Sequence, residues 1–98
     1  MSHRLTKHAD GSLWAMRRVG RHNAALRIDG RVFTAGAVVD GALFAADVCV
    51  CDDFEDAKAR GLVAFDALDE AVCAMVAANV RNAGQTTPGH VVPDGGEP

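Results

Sequence analysis

The chain has no tyrosine, one tryptophan, three cysteines and three prolines among its 98 residues. An odd count of Cys49, Cys51 and Cys73 argues against a secreted disulfide framework, so the thiols are expected to be reduced. Long apolar runs are also missing. The longest, Ala71 to Ala78, is far too short to span a bilayer. The opening MSHRLTKHADGS has no apolar core, so it does not read as a signal peptide. No glycine-rich phosphate loop and no nucleophile elbow occurs. These absences point away from membranes, secretion and nucleotide chemistry, and a cytoplasmic location follows as the expectation. All three prolines fall within Ala83 to Pro98, together with Gly84, Gly89, Gly95 and Gly96. That composition predicts a disordered C-terminal tail over 83–98, after a single domain over 1–82.

What is present is ordinary for a globular protein: 49 % hydrophobic and 23 % charged residues. Phe65 to Asn82 gives the clearest helical signal. Asp66 reads as its N-cap, with Asp69 three residues on and Glu70 adding charge at the positive end of the dipole. Arg81 and Gly84 read as its end. Leu68, Val72, Met75, Val76 and Val80 form one large apolar stripe, expected to lie on a sheet. Cys73, Ala74, Ala77 and Ala78 form a small-residue side that allows a second copy of the chain to approach. Before this helix, Asp52 to Gly61 reads as a short acidic helix. Asp52 and Glu55 resemble a capping box, Asp56 and Arg60 form an i,i+4 pair, and Gly61 marks the stop.

The first half is punctuated by Asp10-Gly11, Asp29-Gly30 and Asp40-Gly41, pairs suited to type I′ hairpin turns. Strands are predicted over His3–His8, Ser12–Val19, Asn23–Ile28, Arg31–Val39 and Ala42–Cys51. Gly36 interrupts the fourth and marks a bulge or an early end. In the fifth, alternation groups Phe44, Ala46, Val48 and Val50 on the helix side and leaves Asp47, Cys49 and Cys51 on the other. The fold class that results is α+β: an antiparallel meander of four or five strands, the short acidic helix, and one long C-terminal helix packed on the sheet.

Charge divides along the chain. Residues 1–31 carry seven Lys and Arg against two Asp, and residues 32–98 carry three against eleven acids. Such asymmetry accompanies charged partners, or two halves that face each other within one domain. Asp47, Asp52, Asp53, Glu55 and Asp56 are the candidate partner-binding residues, and the same run also suits a solvated helix start. The alternative site is the arginine set Arg17, Arg18, Arg21, Arg27 and Arg31, which with Trp14 nearby offers phosphate contacts and a stacking surface for nucleic acid. The net charge of -3 weighs against that alternative. Cys49-x-Cys51 lacks the two-to-four-residue spacing of structural zinc sites, although Cys73 and a histidine would complete a donor set. No metal or other cofactor is expected, and His3, His8, His22 and His90 are scattered.

Without catalytic chemistry, the expectation is a non-enzymatic protein that binds a larger protein or ribonucleoprotein complex. In size, charge and lack of chemistry it resembles the compact acidic inhibitors that phages and mobile elements direct against nucleic-acid-handling defence complexes. A nucleic-acid-binding module is the first alternative, since sheet followed by helix is similar in outline to integrase arm-type DNA readers. A small zinc- or thiol-dependent protein is the second.

Overall fold

A computed structural model describes residues 4–82 and the backbone of 90–91. The architecture is α+β. A sheet of strands in sequence order runs antiparallel throughout: β1 (Thr6–Lys7), β2 (Leu13–Val19), β3 (His22–Asp29), β4 (Val32–Val39), β5 (Ala42–Val50) and β6 (His90–Val91). Two helices, α1 (Phe54–Asp66) and α2 (Glu70–Asn82), lie between β5 and β6 in the chain. The four long strands match the predicted spans to within a residue or two. β6 pairs with the start of β5, Val91 opposite Ala42 and His90 opposite Leu43. It falls inside the tail predicted to lack structure; 83–89 and 92–98 lie outside the described residues.

Tight turns set the meander. Val39 pairs with Ala42, and the two residues between them, Asp40 and Gly41, both have positive φ (53° and 80°), the type I′ requirement. The Asp29-Gly30 expectation is off by one residue. Asp29 is still paired, with Val32, so the turn is Gly30-Arg31. Glycine in the first position gives the positive φ there, and Asp29 stays extended.

One sheet face carries the main core. Paired residues share a face, so Ala15, Leu26, Ala35 and Asp47 form one row and Ile28, Phe33 and Cys49 form the next. Leu26 and Ile28 are fully buried there, each contributing about 1.5–3 kcal/mol of burial. Both helices cover this face, α1 over β3 and β4, α2 over β4, β5 and β3. The opposite face has a smaller cluster of Trp14, Ala25 and Leu43 with Val38. Met16, Val48 and Val50 are exposed there.

The helices differ from the expectation in three ways. Each has 13 residues, so neither is the short one, and the Phe65–Asn82 helix is broken. Phe65 and Asp66 end α1, and α2 begins after Asp69, whose carboxylate accepts from the Val72 amide at 2.9 Å. Asp69, not Asp66, therefore caps it. The break is held from the sheet. One Arg17 guanidinium nitrogen donates to the Phe65 and Leu68 carbonyls at 2.8 and 2.9 Å, and more weakly to Asp66 at 3.4 Å. Phe65 and Asp66 lie in the last turn of α1, where intrahelical donors run out, and Leu68 lies beyond the Ala67 C-cap, its own amide donating to the Phe65 carbonyl at 3.3 Å.

Gly61 does not stop α1 but sits buried inside it. A Cβ on it would lie 3.0 Å from the Phe33 Cβ and 3.1 Å from the Leu26 Cδ1. The missing side chain lets the helix axis come close to the sheet. α2 uses small residues in the same way. Cys73 and Ala77 are buried with Val76 and Val80, while Met75, assigned to the sheet-facing stripe, is 58 % exposed.

The largest correction is in β5. Ala35 pairs with Asp47 but Gly36 with Ala45, which leaves Ala46 without an opposite number on β4. This is a β-bulge. Gly36 permits it, because a Cβ there would strike the Phe44 carbonyl oxygen and come within 2.8 Å of the Ala46 nitrogen. The extra residue resets the alternation. Phe44 lies on the helix side as predicted, but beyond the bulge Asp47, Cys49 and Cys51 take that side. Val48 and Val50 turn to the open face.

Candidate functional site

The acidic set occupies the outer part of β5 and its junction with α1. Asp47, Asp52, Asp53 and Glu55 are exposed and Asp56 is half-buried. Asp53 is the N-cap, accepting from the Asp56 amide at 2.8 Å. Asp56 reaches back to the Asp52 amide at 3.2 Å. The capping residues are therefore Asp53 and Asp56, one residue along from the predicted Asp52 and Glu55, with Asp56 reaching past the cap to the Asp52 amide. Among the described residues Asp56 is the member of the set with an ion pair, to Arg60 at 3.5 Å. Asp47 stands apart, five residues back along an extended chain, roughly 17 Å by strand geometry. Asp52 and Glu55 project into solvent beside the cap.

The arginines are not brought together. Arg17 points to the helix side, where it bonds the α1–α2 junction and lies over the Phe65 ring, 5.2 Å from its centroid. Its Nε is buried without a partner. Arg18 and Arg27 belong to the open face. Arg18 donates to the Gly20 carbonyl at 3.0 Å, and Arg27 pairs with Asp29 at 3.1 Å and with Asp10 at 3.7 Å. Arg21 and Arg31 sit in turns at opposite ends of β3. The Arg21 amide donates to Glu70 Oε2 at 3.2 Å.

Trp14 is not placed to stack on a base. It is 5 % exposed, and its indole N–H donates to Ser12 Oγ at 2.9 Å. Ser12 in turn donates its hydroxyl and its amide to Asp10 Oδ1 at 2.6 and 2.9 Å. Those two bonds hold the Asp10 carboxyl below its usual range, aided by the nearby Arg27 charge. His8 closes the cluster edge-on to the indole, with ring centroids 6.1 Å apart.

The three cysteines are free and divide into a pair and a single. Cys49 is half-buried and Cys51 buried, both on the helix side of β5. Burial, and then the adjacent Cys49 thiol, push the Cys51 thiol up. Both thiols favour the charged form of the neighbouring Arg60 guanidinium. Cys73 lies apart on the inner side of α2, where burial raises its thiol and Arg17 partly offsets the effect. It does not join the pair. Among the described residues, no group of three or more His, Cys, Asp or Glu is arranged to hold a metal ion. His22 starts β3. His3 lies outside the described residues.

The outer side of α2 presents Ala71, Ala74, Met75 and Ala78, all exposed. This is the small-residue face expected from the sequence, although Cys73 and Ala77 belong to the sheet instead. Among the described residues, no helix is long and apolar enough to cross a membrane.

Comparison of the chain with protein-family models, with curated proteins and with solved structures finds no match in any of the three.

Proposed function

We propose that this protein is a non-enzymatic binding module whose acidic rim, Asp47, Asp52, Asp53, Glu55 and Asp56, engages a basic surface on a larger protein or ribonucleoprotein. The carrying observation is the asymmetry of engagement. Asp52, Glu55 and Asp47 are exposed and project from rigid elements without cationic partners among the described residues. The guanidinium groups of Arg17, Arg18 and Arg27 are tied to backbone carbonyls or to an acid, and Arg21 and Arg31 are set apart in turns at opposite ends of β3. Carboxylates held on a rigid strand and a helix start keep their spacing on binding. Complementary fields then speed and orient the encounter. A groove built to take nucleic acid presents such a basic field, and occupying it would make the module an inhibitor.

The test separates rim from cap. Asp47→Lys, Asp52→Lys and Glu55→Lys are combined, leaving the Asp53–Asp56 capping pair intact. The triple variant should fold within ~0.5 kcal/mol of the parent. It should lose the salt-sensitive partners that the parent captures from host extract. Unchanged capture would remove the acidic rim from consideration. A gel shift with nucleic acid that survives this triple variant, and disappears with Arg18→Ser and Arg31→Ser, would transfer the function to the arginines instead.

A further inference from the structure

We propose that Cys49 and Cys51 form a two-thiolate site for a soft monovalent metal ion, with Arg60 as its charge partner. The site exists because of the bulge. With Ala46 left out of the pairing, Cys49 shares a row with Phe33, on the side where α1 lies. Strand residues at i and i+2 point the same way, so Cys51 joins it. Had the simple alternation held, both thiols would have faced away from α1 and Arg60.

Geometry favours a bridging ion over a direct bond between the sulfurs. Two residues of extended strand span ~6.6 Å, near the top of the ~4.4–6.8 Å range between the Cα atoms of a disulfide. A sulfur–sulfur bond of ~2.05 Å must close that gap completely. Two thiolates on opposite sides of an ion stand roughly 4.6 Å apart, twice a ~2.3 Å metal–thiolate bond. That is an easier reach from a flat strand.

Ligand count and charge then select the ion. Structural zinc takes four donors. Here no third Cys, His, Asp or Glu joins the pair among the described residues. Soft thiolates select ions such as Cu(I), which accepts two donors. Binding exchanges two S–H bonds for two metal–sulfur bonds and releases two protons to solvent. The complex of a monovalent ion with two thiolates carries one net negative charge. Arg60, on α1 and within electrostatic reach of both sulfurs, shares its positive charge between them and Asp56, its ion-pair partner at 3.5 Å. A divalent ion would leave the complex neutral but two donors short of its usual four. Cys49 is half-buried and Cys51 buried, so an ion enters past Cys49 and is then shielded from water.

The experiment uses the full, reduced chain under anaerobic conditions, titrated with Cu(I) against a chromophoric Cu(I) chelator. The expected result is one equivalent of Cu(I) held per chain. Cys49→Ser should abolish that uptake, and Cys73→Ser should retain it. Arg60→Gln should weaken it by ~10–100-fold, as loss of an outer-shell partner does. Cys49 is the less buried thiol, so its variant keeps the test usable if Cys51→Ser fails to fold; circular dichroism and Trp14 fluorescence report folding. Failure of the parent to compete for Cu(I) at micromolar protein would overturn the proposal. So would uptake that survives Cys49→Ser, or stoichiometric Zn(II) binding in preference to Cu(I).

Discussion

The junction of β5 with α1 and the β2–β3 hairpin carry opposite charges, and they use them differently. At the junction, Asp53 accepts from the Asp56 amide in the first helical turn and Asp56 from the Asp52 amide just before the cap, and the Asp52 and Glu55 carboxylates are left to solvent. Across the hairpin the arginines separate. Strand alternation sends Arg17 to one face and Arg18 to the other, and the turn takes Arg21. Neighbours in a strand diverge, whereas neighbours at a helix start share one end of a dipole. The same local density of charge therefore becomes a rim in one region and a set of separate structural contacts in the other.

That contrast can be broken most forcefully at Arg17. Arg17→Met keeps much of the apolar stem but strips the α1–α2 junction of its donor. A loss of about 2 kcal/mol in urea denaturation is expected, given hydrogen bonds from a charged group and a stacked ring. Arg31→Ser should stay within ~0.5 kcal/mol. Equal midpoints for the two variants would mean that the junction does not depend on Arg17.

A smaller effect sharpens the acidic side. Asp53→Ala should cost about 1 kcal/mol through the lost N-cap, and Asp52→Asn close to nothing. If Asp52→Asn costs as much as Asp53→Ala, the cap has been assigned to the wrong residue.

The smallest effect is the pH response of Asp10, an acid that lies outside the rim. Its carboxyl is depressed in the folded state, chiefly by its bonds from Ser12. The stabilisation is complete above the unfolded value of ~3.9 and is lost as pH falls from there through the folded value. Comparing unfolding at pH 6 and pH 2.5, Asp10→Asn should flatten part of the parent's decline. Identical slopes would show that Ser12 does not favour the ionised form.

Most of the sheet was legible because its signals are local. Asp40-Gly41 states its turn type in two residues, and Leu13–Val19 and Val32–Val39 alternate or fill in ways that a strand demands. The break between α1 and α2 was not legible, since the group that stabilises it, Arg17, lies 48 residues from Phe65. Gly61 looked like a stop because local glycine statistics cannot see Phe33 and Leu26 beneath it. The acidic rim was read as a set, but its cap was misplaced by one residue, since Asp52 and Asp53 are both good cap residues. Gly36 did signal a bulge. The residue it accommodates is an alanine flanked by an alanine and an aspartate, and nothing in that composition says where the alternation resets.

That reset makes β5 a strand with two reading frames. Upstream of Ala46, even-numbered positions face the helices; downstream, odd-numbered ones do. Drawn into regular pairing, Ala46 would present Val48 and Val50 to α1 and send Asp47, Cys49 and Cys51 to the other surface; its deletion would instead let Asp47 follow Ala45 in unbroken alternation and leave all five where they are. One unpaired alanine therefore decides which side of the sheet five residues take, and a chain without it would have a straighter strand with the same two faces.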